Sequence, residues 1–330
     1  MRALVTGSTG FLGKRLAERL HVLGWDITAV GRNDQAGKAL SGAGIRFVKL
    51  DLRDREAVHR VVAGQDVVFH CAALSSAWGI YRDFYESNVT ATGFLLDAAR
   101  AHSVQRFVHV STPSVYFNYT DQFNLTEDSE LPSRFANDYA RTKYEAECRV
   151  REAFAAGLPS LIIRPRAIFG PGDPALFPRL MRANDKVGIP LIDGGRALID
   201  LTYVDNVVDA LLCCAQASES ALGETYNISN GEPVRFVDAV DRLFGQLGVT
   251  PRYRHLAYPT ADRLAAGLET VYRLLRLRGE PPFTRYTIGV VSCSQTLDIG
   301  KAGRLLGYEP NVSVDEGLAR FADWWRKPQK

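Results

Sequence analysis

The run Thr6-Gly7-Ser8-Thr9-Gly10-Phe11-Leu12-Gly13 constrains this chain more than any other, because it joins an apolar run to an amphipathic one. Ala3 to Thr6 reads as a strand, and Leu12, Leu16, Leu20 and Leu23 fall on one helical face at steps of three or four. A glycine triplet by itself marks only a tight turn. Between a strand and a helix it does more. Gly7 permits the turn, Gly10 lets the backbone approach a pyrophosphate, and Gly13 lets the helix pack closely on the strand. An anion would rest on free amides at the helix N-terminus. The turn therefore predicts a dinucleotide site, with Gly7, Ser8, Thr9, Gly10, Phe11 and Leu12 around the phosphates.

Short apolar runs continue at Ile27 to Val30, Phe47 to Leu50, Val67 to His70, Phe107 to Val110 and Leu161 to Arg164. They are rich in Val, Ile and Phe, as strands buried on both faces are. Amphipathic segments lie between them, so the fold expected is α/β, a Rossmann-type doubly wound parallel sheet. After Gly170-Pro171-Gly172 the texture changes to short Pro- and Gly-rich segments. We expect a dinucleotide-binding core over residues 1–170. A smaller, mainly substrate-binding lobe is expected over 171–330, with a last strand and helices near 200–230 returning to the core. Asp262 to Arg278 alternates Leu264, Leu268, Val271, Leu274, Leu275 and Leu277 with arginines, which predicts an amphipathic helix.

A dinucleotide site also predicts a discriminating residue at the tip of the second strand. Here the strand ends Gly31-Arg32-Asn33, with no carboxylate to repel a 2′-phosphate. Arg32 can pair with such a phosphate, so NADP(H) is favoured while NAD(H) stays open. Asp51 and Leu52, after the third strand, either meet the adenine edge or, for Asp51, cap a helix.

Tyr139 and Lys143 stand one turn apart at the start of a predicted helix. With 13 Tyr in the chain, such a pair alone carries little weight. Its context carries more, because it follows a fifth strand that leads into Ser111-Thr112-Pro113-Ser114-Val115-Tyr116. Thr6-Gly7-x-x-Gly10-x-x-Gly13, His70-Cys71-Ala72-Ala73, Asn88-Val89, Tyr139-x-x-x-Lys143 and Arg164-Pro165 occur in one order along essentially the whole length. In this the chain resembles the extended short-chain dehydrogenase/reductase family. Ala73-Leu-Ser-Ser-Ala-Trp-Gly79 and Ser111-Thr-Pro-Ser-Val115 look most like its 3β-hydroxysteroid dehydrogenase and 2-alkyl-3-oxoalkanoate reductase branch.

The resemblance implies Tyr139 as the proton-transferring group, Lys143 as the ammonium that favours its phenolate and holds the nicotinamide ribose, and Thr112 as the hydroxyl on the substrate oxygen. It implies Ala72, Ala73 and Pro165 against the cofactor, and a homodimer. Ser111, Trp78 and Arg196 are candidate substrate contacts, and Asn88 a weaker site candidate. The function expected is NAD(P)-dependent interconversion of a secondary alcohol and a ketone on a lipophilic substrate. Two alternatives are a nucleotide-sugar epimerase with tightly bound NAD and a non-catalytic cofactor sensor or scaffold.

Composition narrows the rest. With 40 Lys and Arg against 37 Asp and Glu, spread without blocks of one sign, a nucleic-acid surface is not expected. Five cysteines without a C-x-x-C pair predict a reducing compartment and no metal site. The folded pattern starts at Ala3, and no apolar run reaches the length of a membrane span. A cytoplasmic protein is expected, with peripheral membrane contact by the Arg-bearing helix left open.

Overall fold

In the computed structural model, which describes residues 1–277 and 279–327, seven strands make one sheet. They are β1 (Arg2–Thr6), β2 (Asp26–Gly31), β3 (Arg46–Lys49), β4 (Val67–His70), β5 (Arg106–Val110), β6 (Ser160–Pro165) and β7 (Thr225–Ile228). Their order is β7-β6-β5-β4-β1-β2-β3, and every pairing is parallel. The chain runs outward from β1 to β3 and then from β4 to β7 on the other side. The crevice between the carboxyl ends of β1 and β4 is where sheets of this kind take their ligands.

Each strand serves two cores, which explains its unbroken apolar run. Ala3, Val5, Phe69, Val108 and Ile163 face a layer containing Leu16, Leu20, Val207 and Leu211. Leu4, Val30, Val68, Phe107 and Ile162 face the opposite layer, with Val58, Leu95 and Val150. Each such side chain contributes about 1.5–3 kcal/mol by leaving water. The helix Val204–Ala215 packs in the first of these cores, and β7 closes the sheet beside β6.

Two local expectations differ from the structure. The helix Arg55–Val62 is capped by Asp54, whose carboxylate accepts from the Ala57 amide at 3.0 Å, so Asp51 is not the cap. The helix expected from Asp262 runs over Tyr258–Leu274; Pro259 fits its first turn, where a missing N–H costs nothing. Arg278, at the end of that expected segment, lies outside the described residues. Only Ala261 and Ala265 of this helix are buried, while Leu264 is 55% and Leu274 77% exposed. Leu264 and Leu274 therefore face outward, while Leu268 is half-buried. No helix among the described residues is long and apolar enough to cross a membrane.

A buried ion network sets the helix Asp138–Ala155 on the sheet. Arg164 of β6 donates through Nε and Nη2 to Glu147 at 2.8 and 2.6 Å, and Ser111 donates to the same carboxylate at 2.6 Å. The third guanidinium nitrogen, Nη1, donates to the Tyr116 hydroxyl, which in turn donates to Asn227 Oδ1 at 3.0 Å. Burial alone would raise the Glu147 carboxyl, but the bonds and charge of Arg164 hold it below its ordinary range. Glu147→Ala leaves Arg164 buried and unpaired. It is expected to cost about 3–5 kcal/mol in urea unfolding, and a loss below about 1 kcal/mol would show that the network contributes little.

Candidate active site

The glycine turn has the geometry of a phosphate cradle. Gly7 has φ +69°, and a Cβ there would stand 2.8 Å from Ala72 at the end of β4. At Gly13 a Cβ would meet the Gly7 carbonyl oxygen at 2.4 Å. Both positions therefore exclude a side chain for packing reasons. Gly10 differs, because a Cβ there meets only the Gly7 oxygen, at 3.2 Å, and the space beyond is open. Gly10 also caps the helix Phe11–Val22 with no side chain, which leaves first-turn amides without a capping acceptor. These features fit a dinucleotide's pyrophosphate. Ser8 contributes differently from expectation: it is buried, and its amide and hydroxyl both donate to the Val30 carbonyl at 3.0 Å. That leaves backbone on the open side of the turn.

A chain of polar contacts ties this turn to the next loop. Thr6 Oγ1 accepts from the Ala72 amide at 3.3 Å and lies 2.8 Å from His70 Nδ1. His70 Nε2 reaches Thr92 Oγ1 at 2.9 Å, and Thr92 donates to the Asn88 carbonyl at 2.6 Å. Since that hydroxyl proton is already placed, His70 donates from Nε2 and accepts at Nδ1. Burial drives its pKa down to about 3, so it stays neutral. Asn88 lies in a π-helical turn, Tyr85–Thr90, of the wide-turn type that gathers at functional sites. Its side chain clamps the Leu74 amide at 2.8 Å and the Leu74 carbonyl at 3.2 Å.

Tyr139 and Lys143 occupy the first turns of the helix Asp138–Ala155, whose cap Asn137 accepts from the Ala140 amide at 2.8 Å. The Lys143 ammonium donates to the Val110 carbonyl at 2.7 Å and approaches His109 Nε2 at 3.1 Å. Burial lowers its pKa to about 8, with Glu147 opposing. Burial pushes the Tyr139 phenol up to about 12, helped by Tyr286, while hydrogen bonds from Thr112 and Ser75 pull the other way. The expected lowering by Lys143 is not what governs the phenol here, because the ammonium spends its bonds at the end of β5.

Hydroxyls continue outward from the phenol. Thr112 bonds Ser114 Oγ at 3.0 Å, and Ser114 Oγ lies 2.7 Å from the hydroxyl of Tyr286 on the helix Arg285–Ser292. Ser75, Ser114 and Tyr286 are site residues the sequence reading missed. Ser75 stood in a quoted motif without a role, and Tyr286 is brought in by tertiary packing from 172 positions beyond Ser114. Ser111, expected at the substrate, is a correction: its hydroxyl belongs to Glu147.

The remaining candidates scatter around this centre. Arg32 is exposed at the tip of β2, where its charge acts on Asp51. The Asp51 carboxylate is taken by Arg53 at 2.6 Å, which holds it below the usual carboxylate range. Leu52 packs partly against the core that contains Val30, and Pro165 ends β6 opposite Ile228. Ala73 is exposed on the loop after β4. Trp78, on the same loop, meets Tyr272 edge-on at 6.4 Å, with Arg273 5.1 Å over its ring. It therefore joins the loop to the helix Tyr258–Leu274. Arg196 is exposed and donates to the Asp193 carbonyl at 3.1 Å.

Comparison with known proteins identifies the family and the fold. The family model described as NAD dependent epimerase/dehydratase family matches residues 3–229. The 2-alkyl-3-oxoalkanoate reductase of Stenotrophomonas maltophilia is 37% identical, over 97% of this chain and 98% of its own. The 3beta-hydroxysteroid-dehydrogenase/decarboxylase isoform 1 of Arabidopsis thaliana is 33% identical, over 97% of this chain and 78% of its own. Among solved structures, MoeE5 in complex with UDP-glucuronic acid and NAD matches with a TM-score of 0.77 and 27% identity over 99% of both chains.

The lowered pKa of Lys143 has a measurable consequence. Between about 8 and the ordinary 10.5, the unfolded chain keeps a proton that the folded chain has lost, so stability rises with pH across that window. Measured by urea unfolding, the wild type should gain on Lys143→Met as pH goes from about 7.5 to about 10. A gap that does not move would show that the ammonium is not desolvated.

Proposed function

This chain belongs to the NAD dependent epimerase/dehydratase family and is an oxidoreductase, and on that premise we propose that it interconverts a secondary alcohol and a ketone on a lipophilic, steroid-like or long-chain 3-oxo/3-hydroxy substrate. One observation carries the reading. Tyr139 is half-buried, its phenol bonded by the hydroxyls of Thr112 and Ser75, on the helix that also presents Lys143 to the carboxyl end of β5. A phenol so placed can pass one proton to or from a substrate oxygen.

In the oxidative direction Tyr139 takes the proton of the substrate hydroxyl as a hydride leaves the carbinol carbon. In reduction it returns that proton to the ketone oxygen. Thr112 and Ser75 orient the substrate oxygen. A nicotinamide cofactor supplies the hydride partner and, when oxidised, a positive ring that favours the phenolate. Gly7 to Leu12 would hold its pyrophosphate, Ala72, Ala73 and Pro165 would border it, and Lys143 would bind the nicotinamide ribose. Arg32 supports NADP(H) over NAD(H), because its exposed guanidinium can take a 2′-phosphate.

The outward leucines of the helix Tyr258–Leu274 support a lipophilic substrate and, together with Arg263, Arg273 and Arg276, peripheral contact with a lipid surface. All five cysteines are free, which supports the reducing, cytoplasmic compartment expected. The homodimer implied by the resemblance is part of the same reading, and light scattering at micromolar concentration tests it.

A panel of hydrophobic and sugar-nucleotide ketones and alcohols, assayed with both cofactors, tests the function as a whole. NAD(H) that stays bound through purification, with turnover of a nucleotide sugar, would favour the epimerase reading instead. Tyr139→Phe is expected to bind cofactor normally and lose at least about a hundredfold in kcat; near-parental turnover would remove the mechanism. Arg32→Asp is expected to weaken NADPH about tenfold or more and leave NADH less affected. Equal affinity of the parent protein for both cofactors would refute the preference.

A further inference from the structure

Two arginines stand two positions apart at the end of β6 and meet opposite fates. Arg164 is saturated by Glu147 and Tyr116. Arg166 is also buried, at 5% exposure, yet its guanidinium makes no hydrogen bond and no ion pair within 4 Å among the described residues. Its Nε is fully enclosed and without a partner. A buried guanidinium in this condition is costly, since each unmet donor forfeits its hydration. Such a group is completed by a ligand, an ion or water.

The surroundings say which ligand. Arg166 follows the carboxyl end of β6, and Thr112 follows that of the adjacent β5. Tyr286 feels the charge of Arg166, and the same hydroxyl is linked through Ser114 and Thr112 to Tyr139. The guanidinium is thus a short hydroxyl chain from the reacting phenol. Asp200 also acts on the Arg166 charge; it is fully buried, with Oδ2 accepting from the Leu297 amide at 2.6 Å and Oδ1 unpartnered. A planar fork of donors matches a carboxylate, and the nearby Asp200 charge disfavours a dianion such as phosphate.

We propose that Arg166 binds a carboxylate of the substrate. The inference rests on the oxidoreductase reading and names the residue of that site that selects an acid over a neutral alcohol. Asp200 acts on the guanidinium through its charge alone, and the ligand's carboxylate completes the empty donors. The sequence reading quoted Arg166 inside a motif and gave it no task.

Oxidation of a 2-alkyl-3-hydroxyalkanoate, compared with the secondary alcohol lacking the carboxylate, reads this site. In the wild type kcat/KM for the acid should exceed that for the alcohol by at least about 30-fold. Arg166→Gln should collapse that ratio by at least about tenfold, and Arg166→Lys should restore part of it. A wild-type ratio near one, or a ratio that Arg166→Gln leaves alone, overturns the assignment. Calorimetry on the NADP+-loaded protein gives a readout independent of turnover. There a 2-alkylalkanoate should bind at least about tenfold more tightly than its methyl ester, and Arg166→Gln should erase the difference. Equal binding of acid and ester by the wild type overturns the proposal even if a variant fails to fold. Turnover of UDP-glucuronate that depends on Arg166 would support the carboxylate site and assign it to a sugar. Absence of turnover on both the acid and the alcohol would sink the oxidoreductase reading for lipophilic substrates, and calorimetry would still decide Arg166.

Discussion

The helix that carries Tyr139 is seated by charge more than by apolar packing. Its buried face consists of Ala140, Thr142, Lys143, Ala146, Glu147, Val150 and Ala153, a thin hydrophobic surface for eighteen residues. Glu147 compensates by reaching Arg164 on β6 and Ser111 beyond β5 in one buried cluster. Desolvating such a pair is expensive, so its value lies in geometry: two bidentate bonds fix the rotation and height of the helix as leucines would not. One turn earlier, Lys143 inherits that placement and meets the Val110 carbonyl. Everything the site does depends on this seat.

Burial acts on the two reacting residues in opposite directions. It disfavours the charge of Lys143, lowering its pKa to about 8, and disfavours the phenolate of Tyr139, raising its pKa to about 12, so at neutral pH the first stays mainly an ammonium and the second a phenol. Neighbouring dipoles then decide the balance. Thr112 and Ser75 favour the phenolate, and the Val110 carbonyl together with a neutral His109 accepts the ammonium. His109 can accept at Nε2 only as the tautomer protonated at Nδ1, which is the atom left without a partner. Under the proposed function the phenolate then depends on what a bound ligand adds to these dipoles.

Much of the fold was legible because its signals are local. A strand that feeds two cores must be apolar throughout, and a turn that meets Ala72 at 2.8 Å must be glycine, so β1 and Gly7 announce themselves within a few residues. Tyr139 and Lys143 were legible for the same reason, one helical turn being a short pattern. Ser75, Tyr286 and Arg166 were not. Each becomes a site residue only when distant segments converge on the carboxyl edge, and no spacing records that convergence. Ser111 misled because a hydroxyl at a strand end looks the same whether it faces the ligand or a buried carboxylate behind it. The outward leucines of Tyr258–Leu274 misled in the milder sense that periodicity reports a face without saying what covers it.

That helix carries a further consequence. It buries only Ala261 and Ala265, and is held besides by the Asp262–Arg285 ion pair at 2.7 Å, by the Arg285 amide donating to Glu269 at 2.8 Å, by the Tyr258 amide donating to Asp193 at 3.1 Å, and by Trp78 against Tyr272 and Arg273. Little apolar surface is buried in these contacts. The helix can therefore loosen locally while both faces of the seven-stranded sheet stay packed.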